Sequence, residues 1–350
     1  MKHGKEVKPM RLMAIVDAAI RVPGLEDLTM YRSTASVPFA GRYRLIDFTL
    51  SNIVNSNINS VGIFPTNPFI SLLDHVGMGK SWDMDRRKDG LFLLPPSKPE
   101  GGHLSVGAFS ILEEHKTFFE KSRRKYVVIT NCYTISQIKY HEMLDAHIES
   151  GVDITEAVSR EGMPLKSYIM SKDLLMDLME VYKEKRIISV EDIVTLKKKP
   201  YTYGQYVYEG YFAVIDSIES YFNESMNLLN VDKWNELFLH ECPIYTKVKD
   251  EPPTRYLKGS LVKRALLANG GTIEGTVTES IIGRAVVVKQ HAKLDHCIIM
   301  QKCVIGEGCD LSYVIADKNV HIEAGVVLHG TKEQPIVLRK GERLLKEDVG

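Results

Sequence analysis

The stretch "VVVKQHAKLDHCIIMQKCVIGEGCDLSYVIADKNVHIEAGVV", residues 286–327, decides the fold of the second half of the chain. Its apolar residues recur every six positions: Val288, Leu294 and Met300; Ile299, Ile305 and Leu311; Val314, Val320 and Val326. An α-helix repeats every 3.6 residues and a strand every two, so neither produces that interval. Hexapeptide repeats do, because three short strands joined by turns close one triangular coil of a left-handed β-helix, roughly eighteen residues per coil. Glycines at 275, 283, 306, 308 and 325 supply small turn residues. Residues 260–330 should therefore provide roughly four coils. Cys297, Cys303 and Cys309 share the spacing, which puts them on successive faces, unable to converge on one ion. Zinc-binding cysteines come in pairs two to four residues apart. No metal site is expected.

Upstream the rhythm differs. From about residue 10 to 230, β-rich runs alternate with helical patterns. "LMAIV" (12–16), "SVGIF" (60–64) and "YVVIT" (126–130) read as buried strands. Residues 44–56, 141–150 and 171–185 carry apolar side chains at helical spacing, with Ser171 as N-cap of the last. The alternation predicts an α/β domain with a mostly parallel sheet, whose open site lies at the carboxyl ends of its strands. The turn-rich "KDEPPTRY" (249–256) divides this domain, residues 10–248, from the β-helix domain, residues 256–340.

Composition narrows the function. In 350 residues, Lys plus Arg equals Asp plus Glu at 45 each, so no global field favours nucleic acid or anionic lipid. Five cysteines without paired spacing read as free thiols in a reducing compartment. The basic N-terminus has too short an apolar run for a signal peptide or membrane span, so a cytoplasmic protein is expected.

Several short motifs read as ordinary surface. In "HEMLDAH" (141–147) the two histidines are six apart, about 240° around a helix, and cannot share zinc. "EGGHLSVGA" (100–108) reads as a phosphate loop or a common glycine turn. "KEKR" (183–186) and "LKKKP" (196–200) read as solvated basic faces. "FAGRYRLIDF" (39–48) is richer: Arg42 and Arg44 alternate with Tyr43 and Leu45, so an extended chain points both guanidiniums to one side. Paired arginines suit phosphate oxygens; the alternative is an ion pair with Asp47 or another carboxylate.

The blocks "LTMYRSTASVPFAGRYRLIDFTLSNIVNSNI" (28–58), "GMGKSWDMDR" (77–86) and "MLDAHIE" (143–149), followed by hexapeptide repeats, resemble glucose-1-phosphate adenylyltransferase over nearly the whole chain. The resemblance implies a nucleotidyltransferase-like, Rossmann-like domain joined to a left-handed β-helix in a tetramer. It also implies a reaction in which a sugar phosphate attacks the α-phosphate of ATP with magnesium help. Such transfer needs backbone amides, a cation and a metal around the phosphates.

Those parts do not match here. Counted without a gap, the glycines of the family's G-G-x-G-x-R-L loop fall on Ala19, Ile20 and Val22, and its arginine on Gly24. A branched side chain obstructs the close backbone approach that glycine permits, and Pro23 has no amide hydrogen. The family's catalytic lysine corresponds to Thr34, although Arg32 is kept. Its two metal aspartates correspond to Tyr133 and Val214, neither a magnesium ligand. Its Glu-Lys-Pro sugar-phosphate segment is missing between roughly Val158 and Lys166. No catalytic residue, metal or cofactor is therefore expected in this chain, and magnesium only in a catalytic partner.

The pattern resembles the GlgD-type regulatory subunit, which implies a heterotetramer with a catalytic subunit and no partnership with nucleic acid or membrane. Arg42 matches a position where the family uses a cation for a phosphorylated effector, with Arg32 and Arg44 nearby, although Thr66 stands where the family's effector-linked loop has glutamine. Two other readings remain at this level: an active nucleotidyltransferase with a rebuilt site, and a hexapeptide acyltransferase using His291, His296 or His321 as base. The final coils, Ser312 to Val327, are the expected subunit interface, since open β edges invite another chain.

Overall fold

A computed structural model describes residues 11–86, 89–97, 103–182 and 188–349. The basic N-terminal residues, Gly101 with its two neighbours in "EGGHLSVGA", and the "KEKR" run lie outside the described residues.

Seven strands build the first domain: β1 Leu12–Ala18, β2 Ser60–Pro65, β3 Gly90–Leu93, β4 Tyr126–Asn131, β5 Ile154–Ser159, β6 Pro164–Ser171 and β7 Tyr203–Tyr208. They lie in the order β7-β5-β6-β4-β1-β2-β3. β1 is central and covered on both faces. Met13 and Ile15 join one apolar cluster, while Leu12, Ala14 and Val16 join the other. Such a strand needs a continuous apolar run rather than an alternating one, and "LMAIV" supplies it.

The sheet is mixed rather than mostly parallel. β6 runs antiparallel to both of its neighbours, β4 and β5. The reason is local: only residues 160–163 separate β5 from β6, and a parallel return needs a crossover of a dozen or more residues. The same tight hairpin stands where the family's sugar-phosphate segment is missing.

Helices Leu45–Asn55, Tyr140–Ser150 and Lys172–Tyr182 match the helical patterns in the sequence. The Ser171 hydroxyl accepts the Leu174 amide at 3.1 Å, as an N-cap does. On Tyr140–Ser150, His141 is exposed while His147 is buried against the Thr155 hydroxyl at 2.8 Å. The two histidines face apart.

The second domain is the left-handed β-helix expected from the six-residue period, with parallel sheets of six, five and five strands. Its inward row is Val288, Leu294, Ile299, Ile305, Leu311, Ala316 and Ile322, all buried. Between Val288 and Ile322 one step in three is five residues, not six, so these coils take 17 residues, as the Val288–Ile305 and Ile305–Ile322 pairings record. Residues 260–330 make the four coils expected, and strands on either side extend the β-helix to about five coils between Arg255 and Leu344. The shorter step leaves Ile299 on the axis and turns Met300 outward, into the first domain's core.

Two residues before each inward position runs a second buried row that includes Cys297, Cys303 and Cys309. These thiols stand at the entries to three different faces. Cys303 donates to the Asp317 carbonyl and Cys309 to the Glu323 carbonyl, both at 2.9 Å. Burial pushes Cys297 and Cys303 up to about 12.

The domains share one core. Ile298, Met300 and Ile315 of the β-helix belong to the same apolar cluster as Leu28, Phe48 and Phe222. Tyr313 packs against Phe222 with ring centres 6.0 Å apart. Arg32 reaches across to Asp317 at 2.9 Å, both side chains 2 % exposed. Within Ser312–Val327, the expected subunit interface, Tyr313, Ile315 and Asp317 are taken up by the chain's own first domain, while Asn319, His321, Glu323, Ala324 and Val327 are exposed. The first coil is barer: Tyr256 and Leu261 are both exposed.

Candidate functional site

The segment after β1, where the resemblance puts a phosphate loop, is folded inward. Ile20, Val22, Leu25 and Leu28 are all in the core. The Ala19 amide donates to Asp17 Oδ1 at 3.2 Å and the Arg21 amide to the His103 carbonyl at 2.8 Å. The Leu25 amide closes a turn on Val22. A phosphate cradle works through free amides, and those of Ala19, Arg21 and Leu25 are spent within the chain. Gly24 is packed so closely that an added Cβ would lie 2.3 Å from the Asp216 carbonyl oxygen. Thr34, in the lysine's place, is buried and its hydroxyl donates to the Ile20 carbonyl at 3.2 Å. The lost positions now hold one another together.

Asp17 anchors this arrangement. Its Oδ2 accepts from the Gly107 amide at 2.7 Å and lies 2.8 Å from His103 Nε2. The described part of "EGGHLSVGA" thus clamps a carboxylate rather than a phosphate. Burial opposes charge on His103, but Asp17 outweighs it and raises the imidazole above its usual range. An open cleft of about 330 Å³ remains beside Ile20, Val22 and Thr34. Of the two arginines there, Arg21 pairs with Glu26 at 2.7 Å and Arg32 with Asp317.

The positions of the two family metal ligands do come together. Strand Phe212–Val214 pairs with Thr134–Ser136 so that Val214 faces Thr134, and the Ile215 amide donates to the Tyr133 carbonyl at 2.8 Å. The residues at these positions are a phenol and an isopropyl group, and because Val214 pairs with Thr134 its side chain shares a face with Thr134 rather than with Tyr133. Tyr133 is buried, and burial pushes it up to about 12 despite the nearby Lys166 ammonium, which lies 5.7 Å from its ring centre. Hard divalent cations require charged or carbonyl oxygens. These residues do not fit magnesium. Among the described residues, no group of three or more His, Cys, Asp or Glu side chains is arranged to hold any metal.

Cations gather instead at the domain junction. A narrow pocket there has about 40 Å³ open to the centre of a water molecule. Arg42, Arg44, Lys247, Lys249, Arg284 and Lys318 line it. The short strand Tyr43–Arg44, paired with Pro38–Phe39, holds the two arginines on the pocket wall. Arg44 does not spend its guanidinium on Asp47. It donates to the Ser71 carbonyl at 2.6 Å, while the Asp47 carboxylate accepts the Arg44 backbone amide at 2.9 Å and lies 2.5 Å from His75 Nε2.

Lys247 donates to the Asp74 carbonyl at 2.5 Å, and Arg284 lies 3.8 Å from Glu251. Among the described residues, no carboxylate stands within ion-pair distance of Arg42, Lys249 or Lys318. Positive charge exceeds negative, and the titrations register it. Burial lowers Arg44 to about 10, helped by Arg32 and opposed by Asp47. Burial also lowers Lys249 and Arg284, with repulsion from Arg284 and Arg42 respectively adding to it. Such a site attracts anions with several charges.

Of the three arginines singled out from sequence, Arg42 and Arg44 line this pocket and Arg32 does not. Sequence reasoning missed Lys247, Lys249, Arg284 and Lys318. The i,i+2 lysines of "KVKD" (247–250), just before the linker, were a readable sign; Lys318 sits in a β-helix turn with no local signal. The three β-helix histidines do not converge. His296 Nδ1 is 2.9 Å from Asp295 and its ring stacks on Tyr313 with centres 5.0 Å apart, whereas His291 and His321 are exposed.

Comparison with known proteins accords with this geometry. The family described as "Nucleotidyl transferase" matches residues 24–166, and "GlmU-like, C-terminal hexapeptide" matches residues 252–334. The chain is 46% identical over 331 residues to "Glycogen biosynthesis protein GlgD" of Bacillus subtilis (strain 168), covering 95% of this chain and 96% of that protein. The GlgD of Geobacillus stearothermophilus is 49% identical over 332 residues, with the same coverage. A "Glucose-1-phosphate adenylyltransferase" of Bacillus cereus (strain Q1) is 26% identical over 345 residues, covering 88% of this chain and 92% of that one. No described helix is long and apolar enough to cross a membrane.

Proposed function

This chain belongs to the family of the glycogen biosynthesis protein GlgD, and on that footing we propose that it is a non-catalytic regulatory subunit in glycogen biosynthesis. Its partner is a catalytic glucose-1-phosphate adenylyltransferase subunit, which makes ADP-glucose and pyrophosphate from ATP and glucose-1-phosphate in a cytoplasmic heterotetramer. Magnesium, in this reading, belongs to the partner's reaction.

The observation that supports the proposal is that Tyr133 and Val214 stand at the positions matched to the family's two metal aspartates, beside a loop in which the Ala19, Arg21 and Leu25 amides are already bonded within the chain. A cleft with no group of carboxylates for a metal, and with Arg21 and Arg32 engaged by Glu26 and Asp317, is poorly equipped to stabilise the charge that builds during nucleotidyl transfer. What the chain retains is a basic pocket between two domains that share one core. A phosphorylated metabolite bound there contacts both domains at once, and so biases whatever subunit arrangement those domains favour. Couplings of that kind run to about 1–3 kcal/mol, or roughly 5- to 150-fold in a partner's affinity.

The test is pyrophosphate release from ATP and glucose-1-phosphate by the catalytic homologue, with and without this chain at equal concentration. The proposal expects co-elution of the two chains and a changed rate or effector response in the mixture. Unchanged kinetics with no co-elution would reject it.

A further inference from the structure

Of the six cations around the junction pocket, Lys318 is held differently from the rest. Like Arg284 it comes from a β-helix turn, here between strands Val314–Ala316 and His321–Ile322, and it is 6 % exposed. It lines the pocket with Arg44 and His75 from the first domain and Lys249 from the linker, and the Arg32–Asp317 pair at the domain contact also acts on its charge. Asp317 is the one carboxylate among these, and it is committed elsewhere: its Oδ1 accepts from Arg32 at 2.9 Å and from the Lys318 backbone amide at 2.6 Å. Arg44, by contrast, has two acceptors on Ser71, and Lys247 has Asp74.

We propose that Lys318 is the pocket's proton-accepting ligand: a bound polyanion draws a proton from solvent onto this amine, so anion binding and proton uptake occur together. This rests on the anion-site reading given above and adds its regulation by pH.

The physical argument starts from what the empty pocket lacks. A buried ammonium needs a counter-charge or it releases its proton. Burial, with Arg44 and Arg32 pushing in the same direction, brings Lys318 down to about 7 against the pull of Asp317. Near neutrality the amine is therefore divided between its neutral and charged forms. An anion in the pocket supplies the missing negative charge and favours the ammonium. By linkage, whatever raises proton affinity on binding has its own affinity raised by protons. Anion binding should be strongest below about pH 7 and weaken above it by up to about tenfold per pH unit. Arginine cannot play this part, because it stays charged throughout that range. Lys318 is thus a site at which cytoplasmic pH modulates the effector.

The experiment is isothermal titration of the full chain with sodium sulfate, which carries no titrating proton near neutrality. It is run at pH 6.5, 7.0 and 8.5 in buffers of different ionisation enthalpy. The expected result is net proton uptake on sulfate binding near neutrality, with affinity weaker at pH 8.5 than at pH 6.5. Lys318→Arg, which keeps charge and length, should bind sulfate with little uptake and a flat pH profile. Lys318→Met should bind more weakly with no uptake, and circular dichroism of both variants verifies folding. Binding without uptake in the unaltered chain would overturn the role of Lys318 alone. Uptake that persists in Lys318→Arg would do the same and would point to His75. No sulfate binding at any pH would remove the anion site itself, a failure distinguishable from the other two.

Discussion

Replacing Arg32 with methionine should destabilise the whole chain, because Arg32 serves the domain contact and not an effector. In the structure its Nη1 donates to the Leu28 carbonyl at 3.0 Å and its Nη2 to Asp317 at 2.9 Å, with both charged side chains 2 % exposed. Removing one partner of a buried pair strands the other charge, at a cost of roughly 3–5 kcal/mol. Asp317 keeps only the Lys318 backbone amide, and with Lys318 close by it cannot be screened by water. Asp317→Ala should cost a similar amount, since it leaves the Arg32 guanidinium buried on a single carbonyl. The double variant removes both charges, so its loss should fall short of the sum by about 2 kcal/mol or more.

Urea unfolding followed by tryptophan fluorescence measures all three, using Trp82 and Trp234 as reporters. In the same proteins sulfate affinity should change less for Arg32→Met than for Arg42→Ala. Single variants within 0.5 kcal/mol of the parent, or strictly additive losses, would refute the structural role. A sulfate affinity that collapses with Arg32 while stability holds would return this arginine to the effector site.

Other perturbations follow from the same contacts. Restoring the family residue by Gly24→Arg should destabilise by about 1–3 kcal/mol, measured by thermal melt, because its Cβ meets backbone at 2.3 Å and 2.8 Å. Cys297 and Cys303, raised to about 12, should resist alkylation at pH 8 while half-buried Cys242 reacts, as peptide mass spectrometry would record. His75 is lowered by burial, against the pull of Asp47, so the unfolded chain takes up its proton at a higher pH than the folded chain. Stability should therefore decline as pH falls below about 6.5, with a shallower slope in His75→Gln melts. Ending the chain at residue 255 should give an aggregating first domain, because Ile298, Met300 and Ile315 complete its core; light scattering would show it.

The β-helix was legible because its repeat is long-range order written locally: each inward residue must reach the same axis, so spacing alone reveals the coil. The five-residue step was hidden, since Met300 and Ile299 are both apolar and only the axis distinguishes them. β1, β2 and β4 were legible for a similar reason, being buried on both faces and apolar throughout. The antiparallel β6 was not, because its direction depends on a four-residue hairpin rather than on composition. The residues at the family's catalytic positions can be matched one by one in sequence, whereas the pairing of Val214 with Thr134 depends on strands some 80 positions apart. The junction pocket was half visible. Arg42 and Arg44 sit in one motif, whereas Lys249, Arg284 and Lys318 are brought to them only by domain docking.

The central claim is that this chain does no nucleotidyl transfer of its own. Its most direct test is pyrophosphate release by the isolated, homogeneous chain supplied with ATP, glucose-1-phosphate and magnesium. The account predicts no turnover above a mock preparation at any magnesium concentration. Turnover that a chelator abolishes and that tracks the protein through purification would contradict it, and would mean that metal and phosphate are held by residues other than Tyr133, Val214 and the loop at Ala19 to Gly24.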